Sequence, residues 1–137
     1  MFDVTAFQTG ALAFLLAFVT AGLFTLAFKV IYQWITPYKE RELIRAGNTA
    51  AAIALIGALI GYVLPLASAL SNTVSLFEFA AWATLAGVIQ IVAFTAVRMI
   101  ALPDVKARIE AGETSIGVYM AGVSIAVGLL NAACMTA

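Results

Sequence analysis

The sequence predicts an all-α fold: a four-helix transmembrane bundle made of two parallel repeats of a two-helix hairpin. Three observations carry that expectation. First, hydrophobic residues make up 64% of the 137-residue chain and charged residues 10%. A soluble domain has roughly 45–50% and 25%, so this chain lacks the polar side chains to clothe a water-facing surface. Second, four apolar segments are long enough to cross a bilayer as helices, at ~1.5 Å per residue over roughly 30 Å. They are too long and too continuous for the roughly ten-residue alternating strands of an outer-membrane barrel. Third, the chain resembles itself at an offset of 65 positions: Ala46-Gly47-Asn48-Thr49 is answered by Ala111-Gly112-Glu113-Thr114, and Ile44, Gly57, Ile60 and Ala67 by Ile109, Gly122, Ile125 and Ala132. The whole chain, 1–137, is expected to be one integral membrane domain, with repeat one over about 10–71 and repeat two over about 76–136.

The first span is expected over about residues 10–35, ended by Thr36-Pro37 because proline cannot continue a helix. Lys29 lies less than two turns from that end and is expected to snorkel, its stem along apolar surface and its ammonium at the headgroups. Tyr32, Trp34 and Tyr38 would anchor the same interface. Residues 37–47 form a mixed-charge loop with room for a helical turn, on which Glu42 and Arg45 could pair.

The second span, about 48–70, carries no charge and opens on Asn48 or Thr49 as cap. Gly57 and Gly61 form a G-x-x-x-G pair, a surface that another helix can approach closely. Pro65 removes one backbone hydrogen bond and favours a kink, with the Ser68 hydroxyl available to satisfy the freed carbonyl. After the turn at 71–75 the third span follows over about 77–102. Glu78 in its first turn suits the positive helix end. Gln90 near the middle is expected to face the bundle, since a primary amide in lipid is costly. Arg98 repeats the placement of Lys29 near the loop end. A second polar loop at 103–113 precedes the fourth span, about 114–135. Here Gly117, Ala121, Gly122, Ala126 and Gly128 predict a narrow face for packing, and Asn131 and Cys134 share a side near the end.

Lys39, Arg41, Arg45, Lys106 and Arg108 all fall in the two polar loops, which the positive-inside rule assigns to the cytoplasm, with both termini outside. Histidine is absent and Cys134 is the sole cysteine, so no intrachain disulfide is possible and no structural zinc or other metal is expected. No cofactor is expected either. The N-terminal segment has no basic residue before its apolar run, which is too long for a signal-peptide core, and is expected to be retained.

The sequence resembles the small YjfL-like bacterial inner-membrane proteins, described by a domain of unknown function repeated in tandem. The resemblance rests on Glu42-Leu43-Ile44 with Asn48-Thr49-Ala50-Ala51, on Gly61-Tyr62-Val63-Leu64-Pro65-Leu66, on Val88-Ile89-Gln90, and on Asn131-Ala132-Ala133-Cys134-Met135-Thr136. It implies a bacterial inner (plasma) membrane, paired hairpins, and an association with envelope-stress proteins and an ATP-grasp peptide ligase encoded nearby. It implies no catalytic residue.

Three functions compete on the sequence. A membrane scaffold or accessory subunit would use the charged loops, through Lys39, Arg41, Arg45, Lys106 and Arg108, to recruit a partner. A channel or small transporter would use a polar pocket in the outer half, built from Gln90, Asn131, Pro65 and Glu78. No carboxylate stands near the middle of a span to relay protons, which weighs against it. An intramembrane enzyme is disfavoured by the lack of any nucleophile and base pair. The chain is therefore expected to be a non-enzyme whose partners are the lipid bilayer and either further copies of itself or another membrane protein, with no role for nucleic acid.

Overall fold

The computed structural model describes residues 2–136, which form six helices: α1 (Val4–Ile35), α2 (Glu40–Arg45), α3 (Thr49–Asn72), α4 (Leu76–Ala101), α5 (Val105–Glu110) and α6 (Thr114–Cys134). The four long ones, α1, α3, α4 and α6, are each long and apolar enough to cross a membrane. The first begins six residues earlier than expected, because Asp3 caps it by accepting from the N–H groups of Thr5 and Ala6. Asn48 caps α3 by accepting from Ala51, and Ser75 caps α4 by accepting from Glu78.

Each polar loop contains a six-residue helix and closes in the same way. Gly47 and Gly112 have φ of 88° and 79°, the left-handed conformation that reverses the chain after α2 and α5. The backbone bonds match at the 65-residue offset: Asn48 N–H donates to Leu43 O and Glu113 N–H to Arg108 O, while Gly47 donates to Ile44 O and Gly112 to Ile109 O. The Asn48 side chain then joins the loops by donating to Ile109 O at 2.7 Å.

Helices α3 and α6 form the closest pair, and their contact positions rise together from Ala50 with Gly117 to Gly57 with Ala121, Gly61 with Ser124, and Ser68 with Ala132. The two therefore run parallel. Phe24 meets Phe79 and Tyr32 meets Phe94, so α1 and α4 also run parallel to each other. Because short connections make each pair of successive spans antiparallel, both charged loops lie at one end of the bundle. The α3–α4 turn and the described chain ends lie at the other.

Glycine sets how closely α3 and α6 approach. A Cβ on Gly57 would fall on the Ala121 backbone, one on Gly117 on Ala50, and one on Gly128 on Gly61 O, all closer than real atoms come. Gly61 O is also the carbonyl that loses its usual partner at Pro65, which has no N–H to donate. The expected use of the Ser68 hydroxyl for this carbonyl is not seen. Ser68 donates instead to Ala132 O at 3.1 Å, and the Gly61 carbonyl faces the bare Gly128 Cα.

Gly122 departs from its expected packing role. It is exposed, a Cβ added there would meet nothing within 4 Å, and Ala126 is exposed as well. On α6 it is Ala121 that meets Gly57, which leaves Gly122 turned outward. Leu59 is half-buried against the core. Helix α1 buries only Phe28 and Tyr32 and leaves a long run of leucine and phenylalanine exposed, so it forms an apolar outer wall of the bundle.

Candidate functional site

Two polar groupings lie inside the bundle, one deep and one beneath the charged loops. In the deep one Gln90 is 3% exposed and Asn131 is 9% exposed. Gln90 projects from α4 because it shares the inward stripe of Phe79, Ala83, Ala86 and Phe94. Its amide nitrogen donates to Ser124 O at 3.1 Å. The Asn131 amide nitrogen donates to Ala86 O at 3.1 Å and approaches Gln90 Oε1 at 3.4 Å. Tyr62 OH adds a bond to Ala83 O at 3.0 Å, its ring stacked on Phe28 with centroids 4.4 Å apart. Each amide nitrogen is thus committed to a neighbouring helix, as burial in hydrocarbon requires.

Of the residues expected to form an outer pocket, the fold brings Gln90 and Asn131 together. Pro65 is buried in α3, on the side that packs against α6. Glu78 is exposed twelve residues before Gln90, about 18 Å along α4. There it borders a separate hollow of about 160 Å³ with Asn72, Thr73, Trp82 and Met135.

The grouping under the loops involves residues that the sequence places elsewhere. Tyr32 and Tyr38, expected as interfacial anchors, are buried, while Trp34 is left outside. The reason is helical spacing: Phe28 and Tyr32 are one turn apart on the only inward face of α1, and Trp34 falls on the opposite side. Tyr32 packs on Phe94, and the Arg98 guanidinium lies 5.2 Å from the centre of the same ring. Glu40, the first residue of α2, is only 2% exposed. The Gln33 amide nitrogen reaches Glu40 Oε1 at 3.5 Å. Tyr32 OH, Tyr38 OH, Glu40 Oε2 and Arg98 Nη1 are all buried with no hydrogen-bond partner among the described residues.

Burial pushes the Glu40 carboxyl up to about 7, against the opposing pull of the Gln33 amide, the nearby Tyr32 hydroxyl and the Lys29 charge. Burial, aided by the Glu40 charge, raises the Tyr38 hydroxyl to about 12. Near neutral pH Glu40 therefore exchanges a proton while Tyr38 keeps its own. The sequence signal for this group was the i, i+4 pair Phe28 and Tyr32, which marks the one buried stripe of α1 next to the loop.

Lys39, Arg41, Arg45 and Lys106 are exposed on the loops, and Arg108 is half-buried and paired with Glu113. That is the only ion pair among the described residues, so the expected pairing of Glu42 with Arg45 does not form.

Residues 6–135 match the family model described as Domain of Unknown Function (DUF350). The chain is 42% identical over 125 residues to the UPF0719 inner membrane protein YjfL of Escherichia coli strain K12, covering 91% of this chain and 94% of that protein. The protein of the same name from Escherichia coli O157:H7 matches with the same identity and coverage. No solved structure matches the chain.

Proposed function

The chain belongs to the DUF350 family, and within that family we propose that it serves as an inner-membrane scaffold or accessory subunit. Its two charged loops would together form one cytoplasmic docking face, with both termini outside. The single observation that supports this reading is the joining of the loops through Asn48 and Ile109 O. That bond places exposed Lys39, Arg41 and Arg45 on the same end of the bundle as exposed Lys106. The matching loop hydrogen bonds at a 65-residue offset and the parallel course of α3 and α6 favour two parallel hairpins related about an axis along the membrane normal. The exposed apolar face of α1 leaves room for a second copy or another membrane protein beside it. A link to envelope stress would follow from what the loops recruit.

The alternative, a channel or small transporter, draws on the meeting of Gln90 and Asn131. It requires those amides to give up bonds to Ala86 O and Ser124 O, each costing about 0.5–1.5 kcal/mol net.

The test is affinity capture of the full chain from native membranes, with mass spectrometry and native-mass measurement, beside a chain in which Arg41 and Lys106 are replaced by Gln. The scaffold reading predicts a stoichiometric partner that the substituted chain loses. A ring-shaped homo-oligomer that keeps no partner would replace it with the channel reading.

A further inference from the structure

Arg98 stands in the last turn of a spanning helix, where the apolar core gives way to headgroups. A guanidinium at that depth needs acceptors, because a charge taken out of water unpaired is costly. No carboxylate lies within 4 Å of it among the described residues. Beneath it lies the Phe94 ring, which offers weak cation–π attraction and no hydrogen-bond acceptor.

Arg98 also borders a hollow of about 460 Å³ between the end of α4, the turn into α5 and Pro37. Its second cation is Lys106, and the rest of its wall includes Met99, Leu102 and Val105. No acidic residue lines it. The neighbouring acid on the chain, Asp104, is exposed and outside the lining, and Glu40 lies on α2 and does not border the hollow. Two positive charges with apolar walls, at the level where Pro37 and Pro103 end their spans, match one kind of guest. Its phosphate would take hydrogen bonds from the cations while its glycerol and first methylenes lie on Met99 and Leu102.

We propose that this hollow is a binding site for the phosphate headgroup of an anionic phospholipid, held by Arg98 from the bundle side and Lys106 from the loop side. A zwitterionic lipid is a poorer guest, since its own ammonium opposes the two cations. A basic pocket beside spanning helices is the form of site that holds such headgroups. The site does not depend on the scaffold reading. Because Lys106 stands in the first turn of α5, a bound lipid would fix the position of that loop against the membrane.

The test is native mass spectrometry of the purified, delipidated full chain in detergent, titrated in parallel with phosphatidylglycerol, phosphatidylethanolamine and inorganic phosphate. The expected result is retention of one phosphatidylglycerol at concentrations where phosphatidylethanolamine is lost. Retention should fall about fivefold in Arg98→Gln and about fivefold in Lys106→Gln, and should be kept in Lys106→Arg. Lys106 is exposed, so Lys106→Gln keeps the test sound if Arg98→Gln fails to fold. Equal retention of the two lipids, or wild-type retention in Lys106→Gln, would overturn the proposal. So would inorganic phosphate displacing the lipid at equal concentration, which would make this a free-anion site.

Discussion

Replacing Gly61 by alanine should be among the most damaging single-methyl changes in this protein, whereas the same change at Gly122 should be harmless. A Cβ on Gly61 would lie 2.3 Å from Ser124 O and 2.9 Å from Gln90 Nε2. Ordinary contact of carbon with oxygen needs about 3.3 Å, so α6 must retreat by about 1 Å. Overpacking of this kind costs about 1–3 kcal/mol. The displaced Gln90 amide would also lose its bond to Ser124 O, worth about 1 kcal/mol more. The sum is about 2–4 kcal/mol. At Gly122 nothing lies within 4 Å, and removing a helix-interior glycine should leave stability unchanged or raise it by up to about 1 kcal/mol. Both variants would be unfolded in mixed micelles by increasing dodecyl sulfate, followed by far-ultraviolet circular dichroism. Equal midpoints for Gly61→Ala and Gly122→Ala would refute the claim that bare backbone contact holds α3 to α6.

Three further outcomes follow from the polar groups. Glu40 is raised from an ordinary 4.5 to about 7, so the folded state binds the proton more tightly than the unfolded one between those values. Stability should fall as pH rises from about 4.5 to about 7 and level off above, by about 3 kcal/mol in all; Glu40→Gln should flatten that profile in a dodecyl sulfate titration repeated across pH. Asn131→Leu removes the bond to Ala86 O and leaves Gln90 Oε1 unpaired, so it should lose about 1–3 kcal/mol while partner capture per folded molecule stays at the wild-type level. Tyr62→Phe frees Ala83 O only of its extra donor and should cost about 0.5–1 kcal/mol by the same unfolding assay.

The spans were legible because length and hydropathy decide them, and some of their ends because Pro37 stops a helix and Asn48 caps one. Gln90 and Asn131 could be placed inward because an amide cannot face lipid. Which small residue touches which was not legible. Gly57 and Gly122 match at the 65-residue sequence offset, yet the first is buried against Ala121 and the second is exposed, and only the joint packing of both helices decides which small residues meet. Glu40 was hidden for a different reason. A glutamate in a charged loop reads as solvated, and its burial comes from Tyr32 and Tyr38 folding beneath it, a long-range arrangement with no local pattern beyond the Phe28–Tyr32 spacing.

A docking role for the two charged loops requires that both share the cytoplasmic face, and single-cysteine labelling tests that directly. Cys134 is exposed at the opposite end of the bundle and serves as a native reporter, while Lys39→Cys and Lys106→Cys would each be made in a Cys134→Ser background. With a membrane-impermeant maleimide on intact spheroplasts, Cys134 should react at once. The two loop cysteines should react only after the membrane is breached. Labelling of either loop cysteine in intact spheroplasts, or protection of Cys134 there, would contradict the shared cytoplasmic face.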